Sequence, residues 1–196
     1  GWAVLGLGSG NTITVHGVRL AELTPHHFHI LPATTNLVQG TGTWPDGGRD
    51  VLIGTDANDR IEGSDNPFAP NRDDGYDILV GGAGDDVLIG GGDDNLVTDL
   101  YLFGDGSGDD IILGFMIEGT GFSGGPYLDR IEIVQDVNGS GIDSAQDILA
   151  TATEDEDGWA VLGLGSGNTI TVHGVRLAEL TPHHFHILPA TTNLVQ

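Results

Sequence analysis

Acidic and amide side chains recur at a nine-residue interval in the first half of the chain. The positions on this register are Asp50, Asp59, Phe68, Asp77, Asp86 and Asn95, and Phe68 stands where an acid would continue the series. Carboxylate and amide oxygens are hard ligands that suit hard divalent cations. Residues 40–157 hold 27 acidic and only 4 basic residues, which accounts for the whole net charge of −23. Such a segment repels itself unless cations neutralise it, and it is a poor partner for nucleic acids or anionic membranes.

Glycine and apolar residues keep the same register as the acids. In GGAGDDVLI (81–89), glycines precede the acid and a large apolar residue follows it two places later; GTDANDRIE (54–62) is similar. Glycine permits the positive φ of tight turns, and the apolar residue begins a short strand that faces inward. Two nonapeptides per turn predict a flat parallel coil whose turns stack about 4.8 Å apart. One edge would carry Asp50, Phe68 and Asp86, and the other Asp59, Asp77 and Asn95.

The unit Gly-Gly-x-Gly-x-Asp-x-(large apolar)-x resembles the calcium-binding nonapeptide of RTX proteins. Residues 40–196 as a whole resemble the RTX module and the β-sandwich that often follows it in secreted bacterial proteases, lipases and adhesins. The stretches that carry the likeness are GTDANDRIEG, GGAGDDVLIGG, LFGDGSGDDIILGF, LDRIEI and GSGNTITVHGVRLAELTPHHFHI. The resemblance implies calcium ions held between turns by aspartates and loop carbonyls, export by type I secretion, and folding outside the cell.

The resemblance places calcium between Asp59 and Asp77 and between Asp77 and Asn95, with Phe68 weakening the other edge. The candidate ligands in this region are Asp50, Gly54, Asp56, Asp59, Gly75, Asp77, Gly82, Gly84, Asp86, Gly91, Asp93, Asn95, Asp105 and Asp110. The last two belong to an acidic glycine turn beyond the regular register, where they would close the coil around a further ion.

A second type of calcium site is suggested by DVNGSGIDSAQDIL (136–149). Asp136, Asn138, Ser140 and Asp147 occupy positions 1, 3, 5 and 12 of an EF-hand-like loop, with Gly141 at the turn position. This stretch resembles the calcium loop of dockerins. The alternative is an Asn-Gly turn followed by a capping box, SAQD, that opens a short helix over 145–152.

Catalytic motifs are absent from the sequence. It contains neither the His-Glu-x-x-His of zinc proteases nor the Gly-x-Ser-x-Gly of lipases, and it has no cysteine, so we expect no enzymatic activity. All eight histidines lie in two copies of one segment, which includes Pro-His-His-Phe-His. Alternation puts His27 and His29 on one strand face, where they could bind zinc or nickel; the alternative is an exposed polar face.

The first 39 residues recur without change as residues 158–196, at an offset of 157 residues. Identity over the whole segment indicates recent copying within an array of 157-residue units, or design. We therefore interpret 1–39 as the terminal segment of a preceding unit, 40–100 as a calcium-binding β-roll, and 101–196 as a β-rich cap. The predicted fold is all-β: a right-handed parallel β-roll packed on a mainly antiparallel β-sandwich, with one short helix. We expect 1–39 to pack against the start of the coil at 40–60.

These features favour a structural role in an extracellular setting. The expected function is a calcium-stabilised repeat unit of a secreted bacterial fibre or RTX adhesin, which assembles head to tail with neighbouring units or copies of itself. Two alternatives stay open: a non-catalytic calcium- and glycan-binding module of a secreted enzyme, and an engineered chain whose last segment was copied to the front. A cell surface or a glycan would be a further partner, without membrane insertion.

Overall fold

The computed structural model describes residues 3–8, 11–15, 19–23, 34, 36–40, 50–63, 76–91, 98–117 and 128–190. Contacts divide the chain into two compact units, Gly1–Leu31 and Pro32–Gln196. In the first unit, β1 (Ala3–Gly8) and β2 (Asn11–Val15) form an antiparallel hairpin that is a sheet of two strands. A single 3-10 turn follows at Leu20–Glu22.

The second unit consists of two sheets of mostly parallel strands and one helix. Its elements are β3 (Asn36–Gln39), β4 (Val51–Ile53), β5 (Asp59–Glu62), β6 (Ile78–Val80), β7 (Val87–Ile89), β8 (Leu100–Phe103), β9 (Asp109–Leu113), β10 (Arg130–Val134), α1 (Ala145–Thr151), β11 (Thr153–Glu154), β12 (Ala160–Gly163), β13 (Thr169–Val172) and β14 (Phe185–Leu188). The seven-stranded sheet has the order β11-β12-β13-β9-β7-β5-β3, and the five-stranded sheet has the order β14-β10-β8-β6-β4.

From β3 to β10 the chain alternates between the two sheets, so each pair of strands makes one turn of a coil. We call this arrangement, completed by β13 and β14, the two-sheet coil. Its interior is apolar because one residue of each strand faces inward at the same level as its neighbours. The inward-facing series comprises Leu52, Ile61, Leu79, Leu88, Tyr101, Ile112 and Ile131, all of them buried.

The prediction of an all-β fold with an antiparallel sandwich cap is wrong. The chain is mixed α/β, and its two sheets of seven and five strands are mostly parallel. The segments assigned to the cap continue the coil instead: β8 pairs in parallel with β6 and β10, and β14 pairs in parallel with β10. Their inward residues, among them Tyr101, Ile131 and Phe185, are buried in the same core cluster as those of the earlier turns. Antiparallel pairing in this unit is confined to β11, β12 and β13.

The predicted turn length of 18 residues is also wrong. Val51 pairs with Ile78 and Arg60 with Val87, so this turn spans 27 residues. The next turn spans 22 residues in the five-stranded sheet, where Ile78 pairs with Leu100, and 24 residues in the seven-stranded sheet, where Val87 pairs with Ile111. The sequence GSDNPFAPN (63–71) lies in the link between β5 and β6. This unit has Phe in place of the acid and Pro in place of the apolar residue, and Pro cannot donate a hydrogen bond to a sheet. Asp50 therefore stacks with Asp77 and Asp59 with Asp86, so Asp77 and Asp86 lie on the edges opposite those predicted.

The repeated segment contributes to both ends of the second unit. The last residues of the first copy form β3, which pairs in parallel with β5 (Asn36 opposite Asp59). This pairing involves Asn36–Gln39, and packing of the rest of 1–39 against residues 40–60 stays a prediction. The second copy supplies β12, β13 and β14 at the other end. No helix among the described residues is long and apolar enough to cross a membrane.

Candidate functional site

Aspartates stack along one edge of the two-sheet coil, where the chain passes into the seven-stranded sheet. The backbone N–H of Asp59 donates to Oδ1 of Asp86 (2.7 Å), and the N–H of Asp86 donates to Oδ1 of Asp110 (2.9 Å). We call these three residues the inner ladder. The carboxylates of Asp86 and Asp110 are thus held by the backbone one turn earlier, because successive strands of this sheet pair in parallel register. The carboxylate of Asp59 accepts instead from the side chain of Asn36 and from Thr55.

A second stack of acids lies where the chain passes into the five-stranded sheet. We call its members, Asp50, Asp77, Asp99 and Asp129, the long-loop ladder. The N–H of Asp50 donates to Oδ1 of Asp77 (2.8 Å), that of Asp77 to Asp99 (3.0 Å), and that of Asp99 to Asp129 (2.9 Å). The other oxygen of Asp129 accepts from the N–H of Met116 (2.9 Å). Four acids thus follow one another with the same hydrogen bond at each step.

An outer ladder runs beside the inner one and has the opposite hydrogen-bond direction. Oδ1 of Asn58 accepts from the N–H of Asp85 (3.0 Å), and Oδ1 of Asp85 accepts from the N–H of Asp109 (3.0 Å). The hydroxyl of Thr169 closes the series by donating to Asp109 Oδ1 (2.8 Å). Each turn therefore brings two adjacent acidic or amide side chains to this edge.

The inner ladder is removed from solvent. Asp59, Asp86 and Asp110 are 0%, 0% and 1% exposed, and Oδ2 of both Asp86 and Asp110 accepts no hydrogen bond from the described residues. Burial raises the pKa of Asp86 to about 7 and that of Asp110 to about 8, and the neighbouring carboxylates add to both increases. The Ser107 hydroxyl lies near Asp110 and lowers its pKa, although the two groups do not meet hydrogen-bond geometry.

Basic side chains do not offset this charge in the part of the chain that the structure describes. The ion pairs there join Arg60 to Glu62 and His186 to Glu132, and neither includes an inner-ladder acid. A buried carboxylate without a partner is costly. The inner ladder is therefore an anionic, dehydrated edge that either takes up protons or takes up cations.

Glycines make room for these carboxylates. A Cβ added at Gly81 would meet Oδ2 of Asp86, and one added at Gly54 would meet the carbonyl oxygen of Gly81 and Oδ2 of Asp59. The long-loop ladder repeats the arrangement: a Cβ at Gly63 would meet Oδ2 of Asp77. Backbone carbonyl and carboxylate oxygens therefore crowd the same small spaces, which only glycine leaves open. Across the described ranges, no three His, Asp or Glu side chains converge as a metal-binding group, so any ion here would need carbonyl ligands as well.

The structure separates some predicted ligands and brings others together. Asp59 was expected beside Asp77, but it lies opposite Asp86, and Asp50 rather than Asp59 lies opposite Asp77. The calcium position predicted between Asp59 and Asp77 is therefore wrong as a pair. The position predicted between Asp77 and Asn95 stays a prediction, because Asn95 lies outside the described residues; the described partner of Asp77 on the next turn is Asp99. The remaining predicted ligands of the coil fall into three groups: Asp56 is exposed, Gly82, Gly84 and Gly91 have the positive φ of tight turns, and Gly75, Asp93 and Asn95 lie outside the described residues.

The EF-hand-like segment uses its polar groups to join the coil to the helix. Oδ1 of Asn138 accepts from the N–H of Gly106 (2.7 Å), and Oδ1 of Asp105 accepts from the N–H of Asn138 (2.6 Å), which binds the two turns reciprocally. Oδ1 of Asp136 accepts from the N–H of Gly141 (2.9 Å), and the Ser140 hydroxyl accepts from the N–H of Ile142 (3.2 Å).

Asp147 lies at the start of α1. Its carboxylate accepts from the Ser144 hydroxyl (2.7 Å) and the Asp143 N–H (3.2 Å), and the Ser144 hydroxyl accepts from the Asp147 N–H (3.3 Å). The Ser144 hydrogen bond is the main cause that lowers the pKa of Asp147. The geometry matches the capping-box alternative. The described contacts engage the oxygens of Asn138 and Asp147 within the protein.

The histidines of the second copy have separate environments. His184 is buried; its Nδ1 accepts from the N–H of Thr181 (2.9 Å), so its Nε2 carries the proton that is shared with the carbonyl oxygen of Ile117 (3.2 Å). His186 is exposed and lies 3.2 Å from Glu132. His184 therefore has a structural role within the fold. The predicted pair His27 and His29 in the first copy lies outside the described residues.

Five ladder members were not predicted as ligands from the sequence, and a local signal could have found two of them. These residues are Asn58, Asp85, Asp99, Asp109 and Asp129. Asp99 and Asp129 each stand two places before a buried inward residue, Tyr101 and Ile131. The pattern Asp-x-apolar marks every acid of the inner and long-loop ladders, whereas a strict nine-residue interval ends too early.

The sequence matches no protein-family model and no curated protein. The chemical character of the site therefore follows from its own groups. Stacked buried carboxylates, adjacent carbonyl oxygens and glycine-lined spaces form an oxygen-rich edge with excess negative charge. Such an edge can bind hard cations, and binding would be coupled to the stability of the coil because the ligands come from successive turns.

Proposed function

We propose that the chain is a structural repeat unit of a secreted extracellular fibre or adhesin, which calcium stabilises and which assembles head to tail. The observation that carries the proposal is the inner ladder, in which Asp86 and Asp110 each bury an oxygen that no described donor satisfies. A divalent cation would supply the missing positive charge. Calcium suits the site because it accepts flexible sets of carboxylate and carbonyl oxygens.

The residues that would hold calcium are those of the inner ladder, Asp59, Asp86 and Asp110, together with the carbonyl oxygen of Gly81 beside Gly54. On the opposite edge, the acids of the long-loop ladder have the same relation to glycines. When bound, calcium would neutralise adjacent turns and hold them together. The glycines contribute by leaving the space that a side chain would fill.

A non-catalytic role agrees with the way the acids are held. The inner-ladder carboxylates are at most 1% exposed. Oδ1 of Asp86 and Oδ1 of Asp110 accept backbone hydrogen bonds from the preceding turn, and Oδ1 of Asp59 accepts from the side-chain amide of Asn36. A general acid or base has to reach its substrate. These groups face the interior of the coil, where they can stabilise the structure but cannot approach an external molecule.

The repetition supports assembly from similar units. The boundary between the two compact units lies at Leu31/Pro32, and the equivalent position in the second copy is Leu188/Pro189, directly after β14. The segment Pro32–Leu188 contains 157 residues, which equals the offset between the copies. The second compact unit, Pro32–Gln196, therefore contains one whole sequence period and eight further residues. The resemblance of the nonapeptides to RTX repeats adds the expectation of secretion.

The test is a calcium titration of the full chain, monitored by far-ultraviolet circular dichroism and by urea unfolding, with a chelator control. We expect calcium to increase the β-sheet signal and the free energy of unfolding. Asp86→Asn should reduce the calcium response, whereas Asp143→Asn, which changes an exposed acid outside the ladders, should leave it unchanged. A titration without any spectral or stability change would refute the proposal.

A further inference from the structure

The two copies of the repeated segment form the same hairpin in different sheets. In the first copy Ala3 pairs with Val15, and in the second copy the equivalent Ala160 pairs with Val172; the intervening register is also the same. The second hairpin continues the seven-stranded sheet, because β13 pairs in parallel with β9. The first hairpin is a two-stranded sheet. The sequence thus forms this hairpin twice, and only the second is part of the seven-stranded sheet.

The second copy shows how the segment binds to the coil. Thr169 pairs with Asp109 in the sheet, and its hydroxyl donates to the Asp109 carboxylate (2.8 Å). The N–H of Gly108 donates to Oδ1 of Asn168 (2.8 Å). The apolar face of the hairpin, including Leu162 and Ile170, is fully buried in the core. We call the surface that receives residues 158–188, formed mainly by β9, β10 and α1, the acceptor site.

The first copy leaves apolar side chains in solvent that the second copy covers. Val4 is 56% exposed and Leu20 is 63% exposed. Their equivalents in the second copy are Val161, which is half-buried, and Leu177, which packs against the core. A two-stranded hairpin is at best marginally stable by itself in water. Val4 and Leu20 are therefore exposed in the first copy, whereas the second copy covers the identical side chains at least in part.

We infer that Gly1–Leu31 of one molecule docks on the acceptor site of a second copy of the chain, in place of that copy's residues 158–188. The inference rests on the proposed head-to-tail assembly and names the surface through which it occurs. Every side chain that meets the acceptor site from 158–188 has an identical counterpart in 1–31. The contact is heterologous, since donor and acceptor are different surfaces, and it produces chains or closed rings.

In the wild-type chain the second copy is covalently linked to its own acceptor site, which favours it over the first copy of another molecule. Residues 158–188 follow α1 and β11 directly, so their effective concentration at the acceptor site is high, on the order of millimolar or above. The segment Gly1–Leu31 of another molecule, which we call the donor segment, must compete with this high effective concentration. At micromolar concentration we therefore expect the wild-type protein to be mainly monomeric. Exchange becomes dominant when the second copy is weakened.

The repeat allows the same substitution to be made in either copy. Leu162→Asp places a charge in the buried hairpin of the second copy, and Leu5→Asp makes the equivalent change in the first. Molar mass is measured by light scattering after gel filtration, and thermal stability by circular dichroism, all at one fixed calcium concentration. We expect Leu162→Asp to shift the mass from one chain to two or more, with an intact donor segment on each molecule.

The double variant Leu5→Asp/Leu162→Asp should be monomeric and less stable than Leu162→Asp. Its segment Gly1–Leu31 also carries a charge in the hairpin, so it cannot dock on the acceptor site of another molecule. Leu5→Asp should be monomeric at concentrations where Leu162→Asp associates. The inference is overturned if Leu162→Asp and the double variant have the same mass and the same stability. It is equally overturned if Leu162→Asp is monomeric with wild-type stability, because its own first copy would then fill the site. These readouts do not depend on a calcium response, so the two proposals can fail separately.

Discussion

Raising the pH should destabilise the calcium-free protein, because the folded state holds protons on buried carboxyl groups. Burial raises the pKa of Asp86 from 3.8 to about 7, that of Asp110 to about 8 and that of Asp129 to about 6. A group whose pKa is higher in the folded state stabilises that state fully below its unfolded pKa. This contribution is lost as the pH rises through the folded values, so the affected window is about pH 4 to 8.

The magnitude can be obtained from Asp86. Its pKa of about 7 lies about two units above pH 5, and each unit corresponds to about 1.4 kcal/mol, so about 3 kcal/mol is lost between pH 5 and pH 8. Asp110 changes in the same direction, but it is coupled to Asp86 through the inner ladder, so the two contributions are not summed. A loss of this size is a large fraction of the 5–15 kcal/mol that stabilises a typical domain.

Urea unfolding at pH 5 and pH 8 measures this effect, with calcium removed beforehand by a chelating resin. Added calcium should act in the opposite direction, since it binds the deprotonated ladder and stabilises most at high pH. The lowered pKa of Asp147 affects stability only below about pH 4, outside this window. A calcium-free stability that is constant or increases from pH 5 to pH 8 would refute the assignment of buried, unpaired carboxyls.

Three further predictions concern packing, the sheet edge and the helix cap. Gly81→Ala should lower the free energy of unfolding, measured with urea, by about 1–3 kcal/mol, because the new Cβ meets an inner-ladder carboxylate. Gly163→Ala, with open space around its Cβ, should change little, and equal effects of the two substitutions would contradict the role of Gly81 in making room for that carboxylate. Deleting residues 1–39 removes β3 and uncovers β5, so we expect this variant to associate when it is analysed by gel filtration. Deletion of 1–31 keeps β3 and should not cause association; if both variants are monodisperse, β3 does not protect the sheet edge. Ser144→Ala should cost about 1 kcal/mol by loss of the α1 cap, with Ser144→Asp as the conservative control.

Local chemistry made the strand starts predictable. Each acid on the nine-residue register that the structure describes, Asp50, Asp59, Asp77 and Asp86, stands directly before or at the first residue of a short strand. The apolar residue two places later is buried at each of these positions, as the period indicated. These features depend on a few adjacent residues, namely a glycine turn, an acid and alternating apolar side chains.

The pairing of the acids was not predictable in the same way. A shift of one nonapeptide changes no local property, yet it decides whether Asp59 lies opposite Asp77 or opposite Asp86. The structure selects Asp86 because β5 pairs in parallel with β7, which places Arg60 opposite Val87. Register between strands depends on which segments stack, and that is decided by burial across the whole coil.

The predicted β-rich cap over 101–196 also shows that local sequence patterns do not determine strand pairing. The stretches LDRIEIV and HFHIL form the strands β10 and β14, and the alternation of apolar and polar residues in them does not distinguish parallel from antiparallel partners. The parallel arrangement places Ile131 beside Tyr101 and Phe185 beside Ile131 in one continuous sheet.

The sequence by itself determined the excess of acids, the positions of the turns and strand starts, and the duplication that makes one segment available twice. The tertiary structure decided which acids stack, which carboxylate oxygens are buried, and which copy of the segment occupies the coil. The division has a physical reason. Turn formation and strand propensity arise from neighbouring residues, whereas the pKa of Asp86 and the docking of β13 on β9 arise from groups that only folding brings together.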